Sequence, residues 1–355
     1  MRTTPFSVEK VKIPTAFAEF GDTKKPYLDL AGCENSETSQ KAIDAIKNCT
    51  PNMLIEHWQS QDKTIRKELA AIHDVSAQNV FLTSGAMGAI GYVFDVFVDR
   101  STHVGLLCPD FSGFKYYAAK AKANVSWLES FQFPYVHHAN QIIDFVKKQN
   151  IGFLITSNPS AVTGTMRTKT QIEDIISANP ETMHVIDEAD SIYPSSSSAY
   201  LTRQHNNVLH LGSFSKFYGL SGLRIGYLIT PEKYTNHFDR MINPVEITST
   251  AILAAQHALA DKNYQKKTQK RVANNLNILL RACEGSEYRL VPGSNCFATY
   301  IDSNNRKNND PFEMLLKQGI NIAQGSTFGL PRGGRINLAN EEAIKQLVSV
   351  ISLHK

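Results

Sequence analysis

Between residues 79 and 230, short apolar runs recur with helical patterns between them: "NVFLT", "HVGLLCP", "NVSWLE", "IGFLIT", "MHVID", "VLHLG" and "IGYLIT". Several of these runs are apolar throughout rather than alternating, as expected of strands covered on both faces, and the intervening helices supply the crossovers that parallel strands need. The pattern predicts an α/β fold with a mostly parallel sheet between helical layers. From about 245 to 283 the pattern turns long and helical. Beyond it, "CFATYI", "INIA" and "GRINLA" predict strands of a second, smaller unit, closed by the helix "EEAIKQLVSVISLHK".

Composition narrows the function classes. The 37 basic and 33 acidic residues are dispersed along the chain, which gives no nucleic-acid footprint. The densest basic run, Lys266, Lys267, Lys270 and Arg271, reads as a solvated helix face. Five cysteines (Cys33, Cys49, Cys108, Cys283 and Cys296) form no C-x-x-C pair, so neither a disulfide framework nor a zinc site is indicated. No stretch of about eighteen apolar residues offers a membrane span, and "MRTTPFSVEKVK" lacks the apolar run of a signal peptide. The expectation is a cytoplasmic protein with no nucleic acid or membrane as partner.

In a doubly wound sheet, ligands bind outside the carboxyl ends of the strands. Just past those ends lie "SGAMG", "PDF", "SNPSAVTG", "DEAD" and "SFSK". Lys216, after a strand and before a glycine-rich loop, is expected to sit inside the protein, where an amine loses its charge more readily and can attack a carbonyl. Ser213, Ser215 and Arg224 supply the hydroxyls and the forked guanidinium that a phosphate would want. Gly85, Ala86 and Met87 open a helix whose free N–H groups make a second anion seat, although a tight strand-to-helix turn would read the same way. The "DEAD" at 187 to 190 spells a helicase motif, but that reading needs a phosphate loop ending in Gly-Lys, and the chain has no Gly-Lys dipeptide.

From Ser213 to Gly226 the chain carries S-x-S-K-x-x-G-L-x-G-x-R-x-G in full. With this motif, the chain resembles the fold-type I pyridoxal-phosphate enzymes, and is most similar to class I/II aminotransferases of the histidinol-phosphate aminotransferase branch, over about residues 25 to 350. The resemblance implies a large domain with a seven-stranded sheet in an α/β/α sandwich over 41–250. It also implies an arm at 1–40 that contributes to the small domain and the site, and an interdomain helix with a small α+β C-terminal domain at 251–355. The implied cofactor is pyridoxal 5'-phosphate, joined to Lys216 as a Schiff base. Its phosphate would be held by Ser213, Ser215, Arg224 and the amides of Gly85, Ala86 and Met87. Phe111 would stack on the ring, Asn158 would hydrogen-bond its phenolic oxygen, and Asp187 would pair with its nitrogen and keep the ring an electron sink. Arg335 would take the substrate α-carboxylate, and the site would be completed in a homodimer.

Three positions depart from that family. Asp190 stands where the family has a tyrosine that donates to the phenolic oxygen. An ionised carboxylate cannot donate, so Asp190 must be protonated, turn away, or meet a cation such as the Schiff base or a basic substrate. Ala323 stands where relatives carry an arginine for a substrate phosphate, which argues against histidinol phosphate. Trp58 falls loosely where a tyrosine reaches the partner subunit's cofactor. The implied activity is amino transfer from an amino acid to a 2-oxo acid. The alternatives are a decarboxylase, lyase or oxidase of the same fold, or a noncatalytic module in a regulator, for which the residues before 25 are too few to fold a DNA-binding unit.

Overall fold

A computed structural model describes residues 28–55, 59–293, 295–303 and 310–353; Trp58 lies outside the described residues. In chain order, β1 (Leu28–Asp29) leads through α1 (Gln40–Lys47), α2 (Pro51–Ile55) and α3 (Gln59–His73) to β2 (Val80–Thr83). Next come α4 (Gly85–Phe97), β3 (His103–Cys108), α5 (Gly113–Ala121), β4 (Asn124–Glu129), α6 (Ala139–Gln149), β5 (Phe153–Ser157), α7 (Lys169–Ser177) and β6 (Met183–Asp187). The chain returns through β7 (Val208–Ser213) and β8 (Gly226–Ile229) to α8 (Glu232–Met241).

Strands β2 to β8 form one seven-stranded sheet in the order β2-β8-β7-β6-β5-β3-β4. Only β8 runs against its neighbours, and it does so on both sides. The expected mostly parallel sheet is therefore present, and its runs fall within a few residues of the apolar runs. Strands β5, β6 and β7 are buried along their whole length, which is why apolar residues predominate in them on both faces. At the edge, β4 is exposed at every second or third residue and keeps its polar positions. Two strands approach closely at Gly212: a Cβ there would lie 2.0 Å from the Tyr227 ring.

Past the sheet, α9 (Ser249–Ala260) and α10 (Lys262–Cys283) replace the single long helical stretch. The break falls at Asp261, whose side chain caps α10 by accepting from Tyr264 N–H. Then follow β9 (Tyr288–Leu290), β10 (Ala298–Ser303), α11 (Pro311–Lys317), β11 (Ile320–Asn321), β12 (Ala323–Gln324), β13 (Gly334–Asn337) and α12 (Glu341–Ser352). The run "INIA" is two strands rather than one. Its first half pairs in parallel with β1 and its second half antiparallel with β13, so the backbone changes partner at Ile322. Strand β1 thus ties the segment before α1 to the C-terminal unit, whose four-stranded sheet runs β12-β13-β10-β9.

One charge assignment is corrected. Lys266, Lys267 and Lys270 are exposed on α10, but Arg271 is buried and pairs with Glu37 at 2.7 Å. The helix rotates that position under the segment carrying Asn35, so the basic run spans two faces.

Burial also sets a pH dependence. His184 on β6 is fully buried, and burial pushes its imidazole down to about 4. An unfolded histidine titrates at about 6.5, so below that pH the unfolded chain binds a proton that the folded chain refuses, and stability falls as pH falls. This one side chain should account for about 2 kcal/mol of the difference in unfolding free energy between pH 7 and pH 5. In a His184→Leu variant, urea unfolding at the two pH values should show that difference reduced by this amount.

Candidate active site

Five segments end at the same edge of the large sheet. The turn into α4 follows β2, Asp110 and Phe111 follow β3, Asn158 follows β5, Asp187 closes β6, and Lys216 lies three residues past β7. Because β8 runs the other way, Arg224, just before it, starts at this edge too.

Asp187 and Asp190 lie on one turn. Asp187 is buried, and its Oδ1 accepts from Ala189 N–H at 2.9 Å. Burial, reinforced by Asp190, pushes its carboxyl up to about 7, against the pull of Ala189 N–H and Lys216. Glu188, between them, is spent elsewhere: its Oε1 accepts from Ser198 N–H at 3.0 Å and lies 3.6 Å from His210 Nδ1.

The Lys216 ammonium donates to Asp190 Oδ1, and both side chains are largely buried. This corrects the expectation that the amine loses its charge readily. Burial does push it down, but the Asp190 carboxylate beside it pulls the other way and the lysine stands above its ordinary value. Of the three fates open to Asp190, the structure shows contact with a cation. Cys296 and Arg335 complete the immediate electrostatic surroundings of Lys216 and Asp190.

The residues expected to seat an anion approach one another from both sides. Arg224, itself at φ 51°, donates from Nη1 to Ser221 C=O at 2.8 Å and to Ser215 Oγ at 3.3 Å. Ser213 Oγ accepts from Ser215 N–H at 3.0 Å. Gly85 has φ +67°, a backbone conformation that favours glycine, and its missing Cβ leaves room for Arg224 Nη2 against the start of α4. Helix geometry leaves the first N–H groups of α4 without partners inside the helix, so those of Gly85, Ala86 and Met87 suit an anion beside Arg224. Sequence reading missed Glu246, whose Oε1 accepts from Ser84 N–H at 2.9 Å and whose Oε2 accepts from Tyr92 Oη at 2.6 Å.

Phe111 is half-buried and packs edge-on against Phe114, with ring centroids 5.4 Å apart. Asp110 before it is closed into a network with Thr156 and Ser157. Asn158 is tied to the cluster by its backbone, whose N–H donates to Asp187 C=O at 2.9 Å. Its Oδ1 accepts from Arg167 N–H at 2.8 Å and its Nδ2 donates to Arg167 C=O at 3.1 Å, so both ends of the amide hold its own loop. The loop residue that borders Arg335 is Ala161, whose carbonyl accepts from Arg335 Nη1 at 3.2 Å. An alanine side chain donates no hydrogen bond, and nothing in the sequence marked this position.

Arg335, on β13, also donates from Nη2 to Ala31 C=O at 3.0 Å and lies 4.9 Å over the Phe328 ring. Its Nε is buried without a protein partner, a capacity that a carboxylate would satisfy. Directly across the strand pair from Arg335 stands Ala323.

These groups suit pyridoxal phosphate. They offer an amine for its aldehyde, a buried carboxyl for its ring nitrogen, and cationic and N–H donors for its phosphate. Among the described residues no cluster suits a metal ion, and no helix is long and apolar enough to cross a membrane.

Comparison with known proteins agrees. The model of the family "Aminotransferase class I and II" matches residues 29–351. A histidinol-phosphate aminotransferase of Natronomonas pharaonis is 26% identical over 339 residues, covering 94% of this chain and 93% of that one. One from Campylobacter lari is 26% identical over 332 residues, covering 89% and 88%. Among solved structures, the histidinol-phosphate aminotransferase of Sinorhizobium meliloti in complex with pyridoxal-5'-phosphate matches with a TM-score of 0.81 at 20% identity, over 92% of this chain and 90% of that one. The aspartate aminotransferase of Thermus thermophilus with maleate matches with a TM-score of 0.83 at 16% identity, over 100% of both. With its family model spanning nearly the whole sheet and C-terminal unit, the chain belongs to the class I and II aminotransferases, pyridoxal-phosphate-dependent transferases of fold-type I.

Proposed function

We propose that this enzyme transfers the amino group of an amino acid carrying a free α-carboxylate to a 2-oxo acid, and that histidinol phosphate is not its substrate. The observation that carries the reading is the gathering of Lys216, Asp187, Asp190 and Arg335 at the carboxyl end of the sheet, beside the phosphate seat of Arg224 and Gly85.

Lys216 would hold the cofactor covalently and, once displaced by substrate, move the proton at Cα. Asp187 would keep a proton on the ring nitrogen. Ser213, Ser215, Arg224 and the N–H groups of Gly85, Ala86 and Met87 would bind the phosphate, and Phe111 would cover one face of the ring. The cofactor supplies an electron sink for the charge left at Cα. Arg335 would orient the substrate by its carboxylate as a forked pair. Asn158 would hydrogen-bond the ring's phenolic oxygen with the N–H that its bond to Arg167 C=O leaves over.

The position facing Arg335 across the sheet is Ala323, which offers a substrate phosphate no charge. Hydrogen bonds to charged groups are worth about 1.5–3 kcal/mol each, so the absence of such a donor weakens a phosphorylated substrate considerably.

We further propose a homodimer in the cytoplasm. Ile55, Met241 and Val245 are exposed, and Ile55 and Val245 line a cleft of about 480 Å³ with Met53, Phe81, Ile242 and Ile252. A second copy is the natural cover for that surface, because the cleft abuts Thr248 and the Glu246 turn beside the phosphate seat. Cys33, Cys49, Cys108 and Cys296 are in no disulfide, in keeping with a reducing compartment.

The test is the absorbance of the purified protein with pyridoxal phosphate during titration with a panel of amino acids, their decarboxylated amines and histidinol phosphate. An amino acid should convert the band at about 420 nm to one at about 330 nm with release of one equivalent of 2-oxo acid. Amines lacking the carboxylate should react at least about 100-fold less efficiently, the loss of two charged hydrogen bonds at Arg335. Carbon dioxide or peroxide in place of the oxo acid would overturn the transfer reading. Turnover of histidinol phosphate matching the best amino acid would overturn the exclusion.

A further inference from the structure

The contact between Lys216 and Asp190 has a consequence for the cofactor-bound state. Asp190 comes from the turn after β6 and Lys216 from the loop after β7, so the pair bridges adjacent strands. Around it, Asp187 faces from the same turn as Asp190, Cys33 from the segment after β1, Cys296 from just before β10, and Arg335 from β13. Burial and Asp190 push the Cys296 thiol up to about 12, so it carries no charge in the working range. Arg335 is held by two backbone carbonyls and serves as a cation for something other than Asp190. Asp110 is tied to Ser157 and Thr156. Asp190 is thus the carboxylate placed to bond the lysine nitrogen. The residue of the neighbouring loop that meets Arg335, Ala161, adds no side-chain donor.

We propose that Asp190 is the counter-ion of the Lys216 nitrogen, holding it positively charged in the cofactor-free protein and after it has condensed with the aldehyde of the cofactor; an unprotonated substrate amine takes over that charge when it displaces the lysine, which leaves as a neutral base. The inference rests on Lys216 being the residue that binds the cofactor. The condensation balances without an added reagent: an ammonium and an aldehyde give a protonated C=N and one water, and the charge of +1 stays on the nitrogen beside Asp190. A carboxylate at hydrogen-bond distance stabilises that charge, whereas a neutral donor to the cofactor's phenolic oxygen would draw electrons from it. The enzyme then meets its substrate with an activated, protonated carbon–nitrogen bond throughout the neutral range. The pH dependence of the encounter is left to the substrate amine, which must arrive unprotonated.

The experiment is a pH titration of the absorbance of the cofactor-loaded protein, wild type against Asp190→Asn. The wild type should keep its band at about 420 nm to about pH 9 or beyond, and the variant should lose it about 1 to 3 pH units lower, the usual effect of an adjacent opposite charge. Loss of the band at the same pH in both proteins overturns the proposal. A measurement on the cofactor-free wild type stands apart from variant folding and from cofactor binding. The reaction of Lys216 with an amine-specific reagent, followed by peptide mass spectrometry, should have its pH midpoint above the ordinary lysine value of about 10.4. A midpoint below that value overturns the charge pair. If neither loaded protein develops a band, the proposed function fails, and the cofactor-free midpoint still decides the pairing.

Discussion

Replacing Lys216 by alanine should lower turnover of the best amino acid by at least about 10⁴-fold, because one side chain is asked to anchor the cofactor and to move the Cα proton. General acid–base catalysis by a positioned group is worth about 10² to 10⁴ on its own, and the covalent anchor adds to it. The lysine is positioned by the loop after β7 and by its bond to Asp190. Two readouts separate this from misfolding. Borohydride reduction should fix the cofactor's mass to the wild-type peptide containing Lys216 and to no peptide of the variant. A small free amine should restore part of the variant's turnover by supplying a base. A variant retaining a tenth of wild-type turnover would remove Lys216 from the chemistry.

Asp187→Asn should have the second largest effect, a fall in kcat of about 10² to 10⁴, the result of removing one partner of a buried charge pair worth about 3–5 kcal/mol. Asp187 is buried at the end of β6, and its carboxyl, pushed up to about 7, has no full cation of its own beyond the more distant Lys216. A positive ring nitrogen would bring the carboxyl back to its ionised form, so cofactor binding should release protons below pH 7 in the wild type. The asparagine variant should bind cofactor without that proton release, measurable by calorimetry in two buffers of different ionisation enthalpy. Equal proton release in both proteins would show that Asp187 does not face the ring nitrogen.

The sequence alone determined the layered architecture, since each buried strand of the large sheet is a short run with little polar surface to offer solvent. It also placed Lys216, the turn into α4 and Asp187 at the carboxyl ends of strands, because these are short-range patterns. Other parts were not legible because they depend on partners far along the chain. The segment before α1 joins the C-terminal unit through the pairing of β1 with β11 and through bonds such as Arg335 to Ala31 C=O, all to partners about three hundred residues away. Asn158 matches a motif, yet the loop it begins folds back so that Arg167 takes both ends of its amide and Ala161 meets Arg335. Burial argued for a neutral Lys216, and only the tertiary structure decided otherwise. It set a carboxylate from the adjacent strand's turn against the amine, and attraction at hydrogen-bond range outweighs the cost of taking the charge out of water.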